Sequence, residues 1–185
     1  MTLSLDEGVV ERVNDLGSTT WSGRAYRYSS RRRDPLSGEG ARRFGGRWNP
    51  REIFPAVYLG QPAEVASREL DRAAQAVAIQ PLVMLEAGYD LHTVDVQALQ
   101  VLDLRDEAAL RHVGLAPEDV LDEDRTACQT VGHAAWFLEM HGVVAPSAAG
   151  VGLVITAFET RLPAGALTLM DSVPFTSTNY IPASP

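Results

Sequence analysis

A carboxylate in the middle of an apolar helix face is the feature that most constrains this fold. Residues 62–78 indicate a helix, because proline suits a first helical turn and about 100° of rotation per residue separates two faces. The apolar face carries Val65, Ala66, Ala73, Ala76 and Val77, and the polar face carries Glu64, Ser67, Arg68, Asp71 and Gln75. Glu69 falls within the apolar face. A buried, unpaired charge is costly, so we expect Glu69 to meet an internal cation or to line a cavity.

The pattern of short strands and separated helices predicts a single α+β domain. A chain of 185 residues can build one stable core. Strands are predicted at 21–28, 56–59, 82–87, 91–96, 101–104, 143–147 and 151–158, with 82–87 and 91–96 forming a hairpin. Helices are predicted at 5–13, 62–78, 106–113, 117–121 and 125–141, a loop at 29–43 and an irregular tail at 174–185. This order lacks the regular alternation of a parallel α/β sheet.

The basic residues are unevenly distributed along the chain. The net charge is −8, which argues against non-specific binding of nucleic acid by the whole chain. Residues 24–51 nevertheless carry nine arginines against two carboxylates, and no lysine occurs anywhere. Arginine binds phosphate and carboxylate groups through paired hydrogen bonds. The cluster therefore predicts a compact anionic ligand or an acidic partner surface.

Composition excludes several other classes. Cys128 is the only cysteine, so neither a disulfide framework nor a cysteine metal cluster is expected, and the four histidines lack zinc-site spacing. We therefore predict no metal site. No apolar run approaches membrane-spanning length, and the N-terminus lacks a basic region followed by an apolar one. These features predict a cytoplasmic protein that does not bind a membrane.

Four short motifs resemble the pattern of the RES-domain family. They are Gly46-Arg47-Trp48-Asn49, Tyr58-Leu59, Glu69 and Pro146-Ser147. The family takes its name from an arginine, a glutamate and a serine, and Arg47, Glu69 and Ser147 match these by motif context. The resemblance covers roughly residues 21–159. It implies an N-terminal segment at 1–20, a RES domain at 21–160 and a partly irregular C-terminal extension at 161–185.

The resemblance also implies a fold and an activity. The family's fold is similar to that of diphtheria-toxin-like ADP-ribosyltransferases, with a mixed β core and flanking helices. The implied protein is the toxin of a RES–Xre toxin–antitoxin pair. It would cleave the nicotinamide–ribose bond of NAD+ by phosphorolysis or hydrolysis, with NAD+ as substrate, inorganic phosphate as a possible co-substrate and no bound cofactor. The implied partner is an antitoxin with a helix-turn-helix domain that blocks the site.

The candidate site residues fit this chemistry. Cleavage of a ribosyl bond passes through a positively charged ribosyl carbon. The Glu69 carboxylate could stabilise that charge, or it could hold the hydroxyls of the ribose. Arg27 and Arg47 could clamp the pyrophosphate. The aromatic side chains Tyr28, Trp48 and Tyr58 could stack on a flat ring or pack in the core. The resemblance adds Arg47 and Ser147 as catalytic residues and Asn49 as a substrate-binding residue.

Two other functions are compatible with the same residues. An ADP-ribosyltransferase that modifies a protein would differ only in which acceptor reaches the ribosyl centre. A non-catalytic binding module would dock an acidic partner on the arginine cluster and keep Glu69 in a structural ion pair. A dehydrogenase-like use of NAD is disfavoured, because no Gly-x-Gly-x-x-Gly motif follows a strand.

Overall fold

A computed structural model of the chain describes residues 5–183. The helices are α1 (Glu7–Leu16), α2 (Glu39–Phe44), α3 (Glu64–Ala76), α4 (Pro81–Leu85), α5 (Glu107–His112) and α6 (Thr126–Phe137), with 3-10 turns at Pro117–Val120 and Glu159–Arg161. The strands are β1 (Thr19–Ser30), β2 (Ala56–Gln61), β3 (Tyr89–Asp103), β4 (Gly142–Pro146), β5 (Leu153–Phe158) and β6 (Leu167–Pro174). The predicted α+β class is confirmed.

All six described strands belong to one mixed sheet. Their order in the sheet is β1-β2-β5-β4-β3-β6. Because β1 also pairs with β3, the first five strands in this order close into a ring. Only β3 and β4 run parallel, and every other pairing is antiparallel. The long β3 can contact three strands because its first half pairs with β1 and β6, while its last residues pair with β1 and β4.

The two faces of the sheet bury separate groups of apolar side chains. On one face α1, α5 and α6 cover a cluster that includes Val13, Leu102, Val131 and Phe158. The other face buries residues such as Val57 and Ile155 from alternate positions of the same strands. This alternation follows from the two-residue period of a β-strand.

The helix that carries Glu69 begins directly against the sheet. A side chain at Gly60 would place a Cβ atom 2.5 Å from Cγ1 of Val65, so glycine is needed for this close approach. Val65 and Ala66 are buried as predicted, but Ser67 and Arg68 are buried as well, whereas Val77 is 59% exposed. The predicted faces of this helix are therefore wrong in part, because another segment of the chain covers its polar side.

That segment is the C-terminal tail. Arg68 of α3 donates to the carbonyls of Ile181 (3.2 Å) and Pro182 (2.8 Å). The Ser67 hydroxyl accepts from the Ile181 N–H at 3.0 Å, and the Tyr180 hydroxyl donates to Asp71. The tail lacks helices and strands between residues 175 and 183, as predicted. It nevertheless holds the back of the helix that carries Glu69.

Three local predictions were wrong. Residues 82–87 do not form a strand, because Pro81 begins the short helix α4 and leaves Leu82 and Val83 exposed. The predicted hairpin is consequently absent from the described residues, and the strand that begins at Tyr89 pairs with β1 instead. A short apolar run of this kind has no periodicity that distinguishes strand from helix. The predicted 29–43 loop contains α2, and β1 extends to Ser30.

Two further observations concern the chain's organisation. The segment predicted as a C-terminal extension contributes β6, which pairs with β3 within the main sheet. None of the helices in residues 5–183 has the length and apolar character needed to span a bilayer.

Candidate active site

A cavity of about 940 Å³ opens between α3 and the sheet. Its walls come from β1, the 45–48 turn, β2, α3, the 123–125 segment and the end of β4. Glu69 lies on the α3 wall. The predicted helix position of this carboxylate, inside an otherwise apolar face, therefore corresponds to a place at the edge of a cavity.

The surroundings of Glu69 shift the pKa of its carboxyl in two opposite directions. Burial raises the pKa of the Glu69 carboxyl above its ordinary value. The shift is opposed, in decreasing order, by the charges of Arg72, Arg47 and Arg125 and by hydrogen bonding from Ser147. The carboxylate is thus partly desolvated and lies within the field of three arginines, a combination that is typical of functional sites.

Tyr28 of β1 reaches the same cavity as Glu69. Burial, the Glu69 carboxylate and the neighbouring Tyr89 all raise the pKa of the Tyr28 phenol. Its ring lies edge-on to Tyr89, with centroids 5.5 Å apart, and contacts Phe175 at 5.9 Å. The phenol therefore stays neutral at neutral pH and can donate a hydrogen bond, while its ring is fixed by packing.

Arg47 is buried at the cavity wall and has protein partners of its own. Only 8% of the residue is exposed. Its Nη1 and Nη2 atoms donate to the carbonyls of Asp119 (3.1 Å) and Asp122 (2.7 Å). The side chain thereby joins the glycine-rich turn to the segment between α5 and α6, and it brings a positive charge to Glu69.

Trp48, Asn49 and Tyr58 form a hydrogen-bonded network at the wall of the cavity. The Tyr58 hydroxyl accepts from the Trp48 N–H and donates to Asn49 Oδ1, both at 2.8 Å. Asn49 Nδ2 donates to the Ala41 carbonyl at 2.9 Å. A Cβ at Gly46 would lie 2.3 Å from the Tyr58 hydroxyl, so the second glycine of the turn is required by this network.

This network changes the roles expected for its three members. Trp48 and Asn49 have no exposed surface. Trp48 and Tyr58 line the cavity, whereas Asn49 does not. Burial also raises the pKa of the Tyr58 phenol. Because their polar atoms bind one another and the backbone, the geometry supports a structural role for this group. Stacking of Trp48 or Tyr58 on a ligand stays a prediction.

Arg27 lines the cavity but directs hydrogen bonds to the neighbouring loop. Its Nη1 donates to the carbonyls of Pro35 (3.0 Å) and Ser37 (3.1 Å). Burial lowers the pKa of the guanidinium, and Asp34 and Glu159 oppose this shift. Arg27 therefore holds the loop that follows β1.

Ser147 is buried in the turn that follows β4, with 2% exposure. Its hydroxyl accepts from the Ala149 N–H at 3.1 Å, and its N–H donates to the Gly152 carbonyl at 3.0 Å. Pro146 and Ala148 line the cavity on either side of it. Ser147 is thus brought next to Glu69, where its hydroxyl favours the ionised carboxylate.

Sequence reasoning missed three charged residues of the cavity, namely Arg72, Glu123 and Arg125. Arg72 could have been found, since residues three positions apart on a helix are neighbours and Glu69 was already singled out. Glu123 and Arg125 carried no comparable signal, because they lie in a polar segment whose position depends on long-range packing. Across residues 5–183, no group of three or more metal-ligating side chains is present.

Comparison with known proteins identifies the family. The model of the RES domain matches residues 22–177. The chain is 52% identical, over 97% of both sequences, to the NAD(+) phosphorylase MbcT of Mycobacterium tuberculosis and of Mycobacterium bovis. It also matches a solved structure of the M. tuberculosis MbcT–MbcA toxin–antitoxin complex, with a TM-score of 0.90 and 52% identity over 96% of this chain and 97% of the other. The chain therefore belongs to the RES-domain family.

Proposed function

We propose that this protein is an NAD+-degrading toxin that cleaves the nicotinamide–ribose bond by phosphorolysis. The observation that carries the proposal is the placement of Glu69, a partly desolvated carboxylate surrounded by arginines at the wall of the cavity. The 52% identity to proteins named NAD(+) phosphorylase supports the same reaction. NAD+ is the substrate and inorganic phosphate the co-substrate, and no bound cofactor takes part in the reaction.

Glu69 stabilises the positive charge that develops on the ribosyl carbon as nicotinamide leaves. Electrostatic stabilisation of this kind is strongest where water is excluded and the charged group is held in place. Ser147 and the surrounding arginines favour the ionised carboxylate and so oppose the effect of burial on the pKa of Glu69. Tyr28, held against Tyr89, donates its phenolic hydrogen to a hydroxyl of the bound ribose.

The remaining candidate residues shape the site. Arg47 and Arg27 supply positive charge for the pyrophosphate while their carbonyl contacts hold the adjacent loops. The network of Trp48, Asn49 and Tyr58 fixes the turn from which Arg47 projects.

An antitoxin restrains this activity in the cytoplasm. Loss of NAD+ would harm the host, and a solved relative is described as a toxin–antitoxin complex. We expect an Xre-type antitoxin with a helix-turn-helix domain to cover the cavity. Its blocking segment should present carboxylates to the arginine-rich 24–51 stretch, because complementary charge speeds encounter and fixes the register of binding. The toxin itself is expected to bind neither nucleic acid nor membrane.

The decisive experiment incubates the purified protein with NAD+ in the presence and absence of inorganic phosphate. Loss of NAD+ that requires phosphate, with a ribosyl phosphate as product, supports phosphorolysis. Loss that is independent of phosphate indicates a glycohydrolase. Labelling of an added protein by NAD+ would instead indicate an ADP-ribosyltransferase, and no loss or labelling would indicate a binding module.

A further inference from the structure

Three arginines act on the Glu69 carboxylate, but they differ in how their hydrogen-bond donors are used. Both Nη atoms of Arg47 donate to backbone carbonyls. Among the described residues, the Arg72 side chain makes one hydrogen bond, from Nη1 to the Ala148 carbonyl at 2.6 Å. Arg125 makes no side-chain hydrogen bond to any of residues 5–183. Since a guanidinium has five N–H donors, Arg72 and Arg125 retain most of theirs at the cavity wall.

The two arginines reach the cavity from different elements. Arg72 lies three residues after Glu69 on α3, so the two side chains are neighbours on the helix surface. Arg125 directly precedes α6 and is exposed at its end of the cavity. A ligand held by both side chains would therefore touch two walls and lie beside Glu69.

We propose that Arg72 and Arg125 bind the inorganic phosphate that attacks the ribosyl carbon. This assignment rests on the proposed phosphorolysis and identifies the subsite of its second substrate. Arginine suits such a subsite because its planar fork offers two parallel donors to phosphate oxygens. The position beside Glu69 places the nucleophile close to the carbon whose positive charge the carboxylate stabilises.

The reaction at this subsite balances without any further reactant. The bond between the ribose carbon and the nicotinamide nitrogen breaks, and its electron pair neutralises the pyridinium ring. An unprotonated oxygen of hydrogen phosphate forms the new bond to the same carbon, which gives a ribosyl phosphate and free nicotinamide. Phosphate and Glu69 are both anionic, and the charge of Arg72, which acts on Glu69, offsets their repulsion.

A purely structural role for Arg72 makes a different prediction. Its bond to the Ala148 carbonyl fixes the turn that holds Ser147. If that were its entire role, substitution would impair the enzyme equally at every phosphate concentration. Arg125 provides an independent test because it is exposed and has no such bond.

The test compares Arg72→Lys and Arg125→Gln with the full-length wild type and with Arg111→Gln as a matched control. Arg111 is an exposed arginine paired with Glu107 and does not line the cavity. In initial-rate assays we expect the KM for phosphate to rise about tenfold in the first two variants, as for loss of one charge-assisted hydrogen bond. The KM for NAD+ should change by less than about twofold, and the control should match the wild type.

A binding measurement separates this assignment from the proposed reaction. Inorganic phosphate is titrated calorimetrically into each protein saturated with a carba-NAD+ analogue, whose ribosyl bond cannot be cleaved. We expect phosphate to bind the wild type and the control, and to bind both cavity variants about tenfold more weakly. If wild type binds no phosphate, or if both cavity variants bind it normally, the subsite assignment is wrong. Phosphate binding without NAD+ consumption would overturn only the proposed reaction.

Discussion

The Tyr58 hydroxyl offers the sharpest test of whether the motif residues bind substrate or support the site. Tyr58→Phe removes one oxygen and leaves the ring in place. The Trp48 N–H and Asn49 Oδ1 each lose a partner at 2.8 Å. Both groups belong to fully buried residues, so water cannot readily replace the missing hydroxyl.

The expected loss of stability follows from these two unpaired groups. Each buried polar group left without a partner costs about 1–3 kcal/mol, so the two groups together should lower the free energy of unfolding by about 2–6 kcal/mol. For a chain of this size, at about 2–4 °C per kcal/mol, that change lowers Tm by roughly 4–24 °C. The effect is a large share of the ~5–15 kcal/mol by which folded proteins are usually stable.

The assay is urea denaturation followed by circular dichroism, with Tyr26→Phe as the matched control. Tyr26 lies on the same strand and cavity wall as Tyr28, but its hydroxyl makes no hydrogen bond within residues 5–183. Its substitution should change stability by less than about 0.5 kcal/mol. If Tyr58→Phe is as stable as this control while the KM for NAD+ rises, the hydroxyl binds substrate and the structural assignment is refuted.

Further expectations concern the carboxylate and its supports. Glu69→Gln should lower kcat by about 10²-fold or more with the fold intact, and intact turnover per folded molecule would contradict the role of the charge. Burial raises the pKa of Glu69, so the folded protein loses stability as the pH rises from the unfolded pKa near 4.5 through the folded pKa. Glu69→Gln should therefore raise Tm at pH 7, and this gain should disappear as the pH falls towards 4.5. A Tm difference that does not change with pH would refute this. Ser147→Ala should reduce turnover only in part, because we expect no covalent intermediate on Ser147. A stable adduct on Ser147 of the wild type, seen by mass spectrometry, would instead show that the residue is a nucleophile. Arg68→Met should lower the free energy of unfolding by about 1–3 kcal/mol, since the carbonyls of the tail lose their donor, whereas Arg111→Met should not.

The sequence predicted the features that depend on local periodicity and on motifs. The position of Glu69 within an apolar face predicted an internal cation or a cavity beside it, and the structure has both arginines and a cavity there. The helix predicted at 106–113 is found at Glu107–His112, where the Asp106 side chain caps its first turn. The strand at 82–87 failed because a short apolar run does not distinguish helix from strand. The burial of Arg68 could not be foreseen, since it depends on carbonyls of residues more than 100 positions away. Arg125 enters the cavity for a similar reason, through the packing of α6 on the glycine-rich turn.

The carbonyl contacts of Arg47 have a consequence for how occupancy of the cavity could be observed. A ligand that draws the guanidinium towards the cavity must lengthen its bonds to the Asp119 and Asp122 carbonyls. Those carbonyls belong to a segment whose residues 121–127 are exposed to solvent. The hydrogen-exchange rates of the backbone amides in this segment would then change when substrate or antitoxin binds. Binding could therefore be followed at the outer surface without any label inside the site.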